Sequence, residues 1–125
     1  MKKRLVILLW AANPDQPQLC ATPFFNAAAA AAMDTEVEVY FTSKSVRLLV
    51  KGVAESLHTG PSQRKTLYEF MQHAAEHGAK FYACSQAMEE HGVAREDMIA
   101  EASGVAGAAT YMARCLDDEW VTLVY

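Results

Sequence analysis

Leu5 to Trp10, Leu-Val-Ile-Leu-Leu-Trp, is an unbroken apolar run near the start of the chain. Side chains on a strand alternate between two faces, so a strand can be apolar throughout only if both faces are covered. Read as a strand over residues 4–10, this run demands a buried position in a parallel sheet with helices above and below. The basic start and short apolar run also look like a small signal peptide. However, the run passes into Asn13-Pro14-Asp15, and no convincing small-x-small cleavage site follows directly. The strand reading is therefore preferred. The run is too short to span a bilayer, and no other segment does better.

The rest of the chain keeps to that demand. Pro14, Pro17 and Pro23 punctuate a loop over 13–23, and Thr22 with Pro23 reads as the cap and first position of an alanine-rich helix ending near Met33. Glu36 to Phe41 reads as a second strand. A helix with Val46, Leu49 and Val50 inward follows and stops at Gly52. Residues 53–64 form the longest polar loop. Thr66 and Glu69 make a capping box before a helix with Leu67, Phe70, Met71, Ala74 and Ala75 on one face, stopped by Gly78. Lys80 to Cys84 reads as strand three, and Ser85 to His91 as a short helix ended by Gly92. A weak strand within 99–105, a helix over 106–116 and a strand over 120–125 complete the pattern. Alternating strands and helices predict an α/β fold: about five mostly parallel strands with helices on both faces, a three-layer, flavodoxin-like architecture. The 125 residues suit one domain, 1–125.

The formal charge of −4 gives no basis for direct binding to a nucleic-acid backbone. The three cysteines, at 20, 84 and 115, form no CxxC pair, and their odd number argues against a disulfide-stapled secreted domain. His73 and His77 stand four apart on one helix face, but HAAEH lacks the HExxH order and a third ligand, so no metal is expected. Gly104 and Gly107 precede the last helix without a GxGxxG or Walker pattern. They read as close packing of that helix on the sheet rather than as a phosphate site. Cys115, Met71, Met88 and Met112 read as core.

Cys84 differs from the other thiols. It falls at the C-terminal end of a strand with a helix beginning directly after it. In parallel sheets that edge collects binding and chemistry, and amides at a helix start favour a thiolate. A small buried hydrophobe is the alternative. His91 lies seven residues on, about 10 Å along a helix, which is too far for a direct Cys-His pair. No triad is visible, so a nucleophile that needs only its own thiolate fits better. Cys20 belongs to the loop at the same sheet edge. It is either a resolving or relay partner for Cys84 or an ordinary loop cysteine, since nothing in the spacing fixes the distance.

The segment KFYACSQAMEEHGV resembles the thiol segment of the DsrE/DsrF-like family. There a cysteine ends a strand and a glycine follows eight positions later, here Cys84 and Gly92. REDMI, GVAGAATYMARCLDD and the closing WVTLVY also match in order and spacing, as does KRLVILLW with its alanine-rich helix. The departure is the loop AANPDQPQLCATP, which replaces a Tyr-Gly turn and adds Cys20. The resemblance implies a small cytoplasmic subunit of a homotrimer or homohexamer. It also implies sulfane sulfur carried as a persulfide on Cys84 and passed between donor and acceptor proteins, in sulfur oxidation or tRNA thiolation. No cofactor is implied. Some members lack the cysteine, and the alternative is a non-catalytic assembly or small-ligand-binding module in which Cys84 is merely packed.

Overall fold

A computed structural model describes residues 3–125. Five strands, β1 (Arg4–Leu9), β2 (Val37–Phe41), β3 (Lys80–Cys84), β4 (Ala102–Ala106) and β5 (Trp120–Val124), form one sheet in the order β4-β3-β2-β1-β5. Every pairing is parallel. The helices are α1 (Ala21–Ala32), α2 (Leu67–Glu76), α3 (Ser85–His91) and α4 (Ala108–Cys115). From β1 to β4 the chain adds strands in one direction, and then α4 carries it back past β1 to β5. Parallel crossovers are right-handed, so reversing the direction of travel moves the connecting helix to the opposite face. Accordingly α1 and α2 pack together on one face, while α4 lies on the other against β1 and β5. This is the expected three-layer α/β fold.

The two faces are unequal. The main core, under α1 and α2, joins Leu5, Ile7 and Leu9 of β1 to Val37, Val39 and Phe41 of β2 and Phe81 of β3. Phe24 stacks on Phe41 at 6.0 Å and meets Phe81 edge-on at 5.8 Å. Burying one such ring stabilises the fold by about 1.5–3 kcal/mol. The apolar residues buried on the second face are only Val6, Tyr40 and Trp120, with Leu8, Tyr82 and Tyr111 packed around them.

Several local readings hold. The Thr66–Glu69 capping box forms in both directions, and Gly92 takes the left-handed conformation that ends α3. Others need correction. Helix α1 starts at Ala21 with Cys20, not Thr22, at its cap. The helix expected after β2 is a 3-10 turn over Ser43–Leu49. Met112 is 44% exposed and Cys115 half-buried, because no residue of α4 is buried within this chain. Nor does close packing require Gly104: a Cβ there would meet the Tyr82 ring at 3.7 Å, an ordinary contact.

Candidate functional site

The parallel register aligns the C-terminal ends of the strands, with Cys84 opposite Ala106 of β4. Cys84 is the last residue of β3 and the cap residue of α3. Its side chain makes no capping hydrogen bond, so the half-buried sulfur is not tied to the helix amides. Instead it lies between two cavities. One, of about 250 Å³, is lined by Thr42, Ser43, Cys84, Gln86, Ala87 and Glu90. The other, of about 210 Å³, shares Thr42, Cys84 and Gln86 and is completed by Leu8, Tyr40 and Tyr111 with Gly107 and Ala108.

The walls are placed by the ends of β1 and β2 and by α4. The buried Ser45 hydroxyl sits 2.7 Å from the Leu9 carbonyl and 2.6 Å from that of Thr42, which ties the turn after β2 to the end of β1. That turn holds Ser43 at φ 54°, in the left-handed region. Such a conformation costs a non-glycine residue about 1 kcal/mol or more, and strained residues of this kind cluster at functional sites. Tyr40 packs at 5.3 Å from Tyr82 and at 5.5 Å, edge-on, from Tyr111. The Tyr40 hydroxyl donates to Glu38 at 2.8 Å. Burial, reinforced by the Glu38 carboxylate, raises the Tyr40 phenol far above its ordinary range. Burial and the Cys115 thiol do the same to Tyr111. Both rings are therefore uncharged walls at neutral pH.

Cys20 has a different setting. It is fully buried in the main core, and its thiol donates to the carbonyls of Asn13 at 3.5 Å and Gln16 at 3.6 Å. Burial pushes it up to about 11. In this position it fastens the loop between β1 and α1, and that loop would have to open before the sulfur met water. Cys115 lies on α4 beside Tyr111, and it lines neither cavity. The His73 and His77 rings meet edge-on at 4.6 Å. Among the described residues no cluster of three or more metal-ligating side chains exists. A larger groove of about 460 Å³ between α1 and α2 has Phe24, Phe25, Phe70, Lys65, Glu69 and His73 among its walls. Glu76 also lines it, but it holds no thiol, so the smaller cavities at Cys84 are the better candidate for thiol chemistry despite their size.

The residues around Cys84 come from four separate segments of the chain. Tyr40, Thr42 and Ser43 carry no signature of their own. Their one sequence signal is position, at the end of a strand next to β3. Tyr111 reads as an apolar helix residue, which is correct about packing and silent about the cavity.

A parallel α/β sheet with a half-buried thiol at its C-terminal edge defines a class of small thiol-bearing domains. The chain belongs to the DsrE/DsrF-like family, whose model matches residues 4–121. In fold it is similar to the protein of unknown function MTH1491 from Methanobacterium thermoautotrophicum, at 17% identity and a TM-score of 0.70, covering 99% of this chain and 100% of that one. It is likewise similar to the ychN protein from E. coli, at 9% identity and a TM-score of 0.69, with 100% of both chains covered. A third relative in fold is the conserved protein of unknown function BT1422 from Bacteroides thetaiotaomicron, at 14% identity and a TM-score of 0.69, covering 98% of this chain and 95% of that one. No curated protein matches the chain in sequence. Among the described residues no helix is long and apolar enough to cross a membrane.

Proposed function

We propose that this chain, acting as one DsrE/DsrF-like domain in the cytoplasm, is a sulfur carrier that holds sulfane sulfur as a persulfide on Cys84. The observation that carries the reading is the half-buried Cys84 sulfur between two cavities at the C-terminal edge of the sheet. In the loading step the Cys84 thiolate attacks the outer sulfur of a donor persulfide, R–S–SH. The new S–S bond forms as the donor S–S bond breaks, and R–S⁻ leaves and takes up the proton. In the unloading step an acceptor thiolate attacks the outer sulfur of Cys84–S–SH, and the Cys84 thiolate leaves. Neither step needs a cofactor or an outside oxidant. The mechanism also asks for no histidine or carboxylate in contact with the sulfur. Donor and acceptor are protein thiols in a relay serving sulfur oxidation or tRNA thiolation. Cys20, capped by two carbonyls inside the core, serves packing in this scheme.

The test is direct. The protein is incubated with a persulfidated donor and its intact mass is taken before and after dithiothreitol. The expected result is a gain of one sulfur atom, removable by dithiothreitol and mapped by peptide fragmentation to Cys84. An unchanged mass, or an adduct confined to the other thiols, would sink the reading.

The working form is a homo-oligomer, a trimer or hexamer, built on the thinly covered side of the molecule. Leu116 is 79% exposed, Met112 on α4 and Val124 on β5, which shares the face of Trp120, are also exposed, and β5 is an edge strand. Unpaired edges and exposed apolar side chains are what self-association covers. Leu116→Asp is therefore expected to shift the sedimenting species toward monomer, while its circular dichroism stays that of a folded chain. An oligomer of unchanged size would place the interface elsewhere.

A further inference from the structure

We infer that Cys84 accepts sulfur from carriers whose reacting end is uncharged or positively flanked, and that Glu90 sets this preference against small anionic donors such as thiosulfate. The inference rests on Cys84 being the sulfur-bearing atom. Apart from the thiol itself and the two phenols, Glu90 is the one ionisable side chain lining either cavity. No Lys, Arg or His among the described residues shares those walls. Lys44 adjoins Ser43 in the chain, but it is paired with Asp15 at 2.7 Å. The remaining walls, Leu8, Ala108 and the rings of Tyr40 and Tyr111, are apolar or neutral.

An anion approaching the sulfur therefore meets one full negative charge and no cationic side chain, with only the partial charges at the starts of the short helices α3 and α4 in its favour. It must also leave water to enter the apolar chamber, which is costly for an unpaired charge. Glu90 follows Cys84 by six residues, about 9 Å of helical rise, so it acts through space at the rim. Glu90 is exposed, so its field acts partly through water and salt, and the repulsion slows an encounter roughly two- to tenfold per negative charge on the donor. Thiosulfate carries two such charges. A thiol partner edged with Lys or Arg would gain where thiosulfate loses.

Three methanethiosulfonates with the same reacting group test this: methyl (neutral), sulfonatoethyl (anionic) and trimethylammonioethyl (cationic). In each case the thiolate attacks the sulfenyl sulfur, the new S–S bond forms, and methanesulfinate leaves with the electron pair. Rates at Cys84 in the full chain are read by peptide mass and divided by the rate of the same reagent with 2-mercaptoethanol. The expected normalised order is cationic, then neutral, then anionic, with the anionic reagent slower than the neutral one by roughly two- to tenfold and the gap narrowing as salt is added. Glu90→Gln should raise the anionic-to-neutral ratio by most of that factor. Glu89→Gln, which alters a charge outside both cavities, should raise it less. Equal normalised rates in the wild type, or a ratio indifferent to Glu90→Gln, would overturn the inference. These reagents label any reachable thiol, so the charge preference is read even if persulfide uptake fails, and the two ideas fail separately.

Discussion

Cys84→Ser is expected to abolish dithiothreitol-removable sulfur uptake, while Cys20→Ala retains it at close to the wild-type level. Serine nearly matches the shape of cysteine at a half-buried position, so the fold should stand. A hydroxyl, however, is no nucleophile toward a persulfide without an activating base. In the proposed scheme Cys20 is held back by its surroundings rather than by its chemistry. With the thiol pushed up to about 11, only about one molecule in a thousand holds it as thiolate at pH 8. Its alkylation in the native protein should be slower than that of a free thiol by two orders of magnitude or more, and should climb roughly tenfold per pH unit toward pH 11. The same shift has a stability consequence. The folded state keeps the Cys20 proton at pH values where the unfolded chain releases it. The associated stability is therefore complete below the unfolded value near 8.5–9 and is lost as pH rises through about 11. Urea unfolding at pH 8 and pH 10.5 should differ by about 2 kcal/mol from this group, a slope that Cys20→Ala removes even as it loosens the packing. Sulfur uptake that survives Cys84→Ser, or that disappears in Cys20→Ala while the fold persists, would reassign the carrier thiol.

The layout of the fold was readable because its strands announce themselves. The apolar run at Leu5–Trp10 and the matched segments Lys80–Cys84 and Trp120–Val124 lie close to where the periodicity puts them. Capping chemistry located Thr66 and Gly92 because each motif is decided within a few residues. The misplaced features depend on distant neighbours. Cys20 looks like a loop residue, yet it is drawn inside by two carbonyls and the main core. Met112 has the spacing of a core residue, but α4 meets only the thin second face, so its apolar side stays open. For the site, sequence supplied Cys84 and the sheet edge. The Tyr40–Tyr111 wall needed the α4 crossover, which brings residues 71 positions apart into contact. A helix propensity cannot report that. Nor could it report the partner of Glu38: a carboxylate on a strand buried on both sides signals only that some cation must come to it.

That cation is Arg114, and replacing it is expected to be the most destabilising change on the second face. Glu38 is 4% exposed and receives Arg114 Nε at 3.0 Å, a longer contact from the other guanidinium arm at 3.4 Å, and the Tyr40 hydroxyl. The Glu38 carboxylate in turn raises Arg114 above its ordinary value. The guanidinium also lies 4.8 Å from the Trp120 ring centre, so one side chain pins α4 to both β2 and β5. Arg114→Ala leaves a carboxylate buried without its counter-charge. Loss of one member of a buried pair costs about 3–5 kcal/mol, and the lower end applies here because Arg114 keeps a third of its surface in water. The double change Glu38→Gln with Arg114→Met removes the stranded charge, keeps an acceptor for Tyr40 and keeps an apolar chain over Trp120. It should therefore recover most of the loss, since buried pairs add little over well-packed neutral groups. Urea midpoints of the wild type, Arg114→Ala and the double variant decide the matter. A loss under about 1 kcal/mol in Arg114→Ala would mean that water reaches Glu38 and that the pair behaves like an exposed one. A double variant no more stable than Arg114→Ala would mean that the guanidinium's packing on Trp120, rather than the charge it neutralises, holds α4 over the cavity beside Cys84.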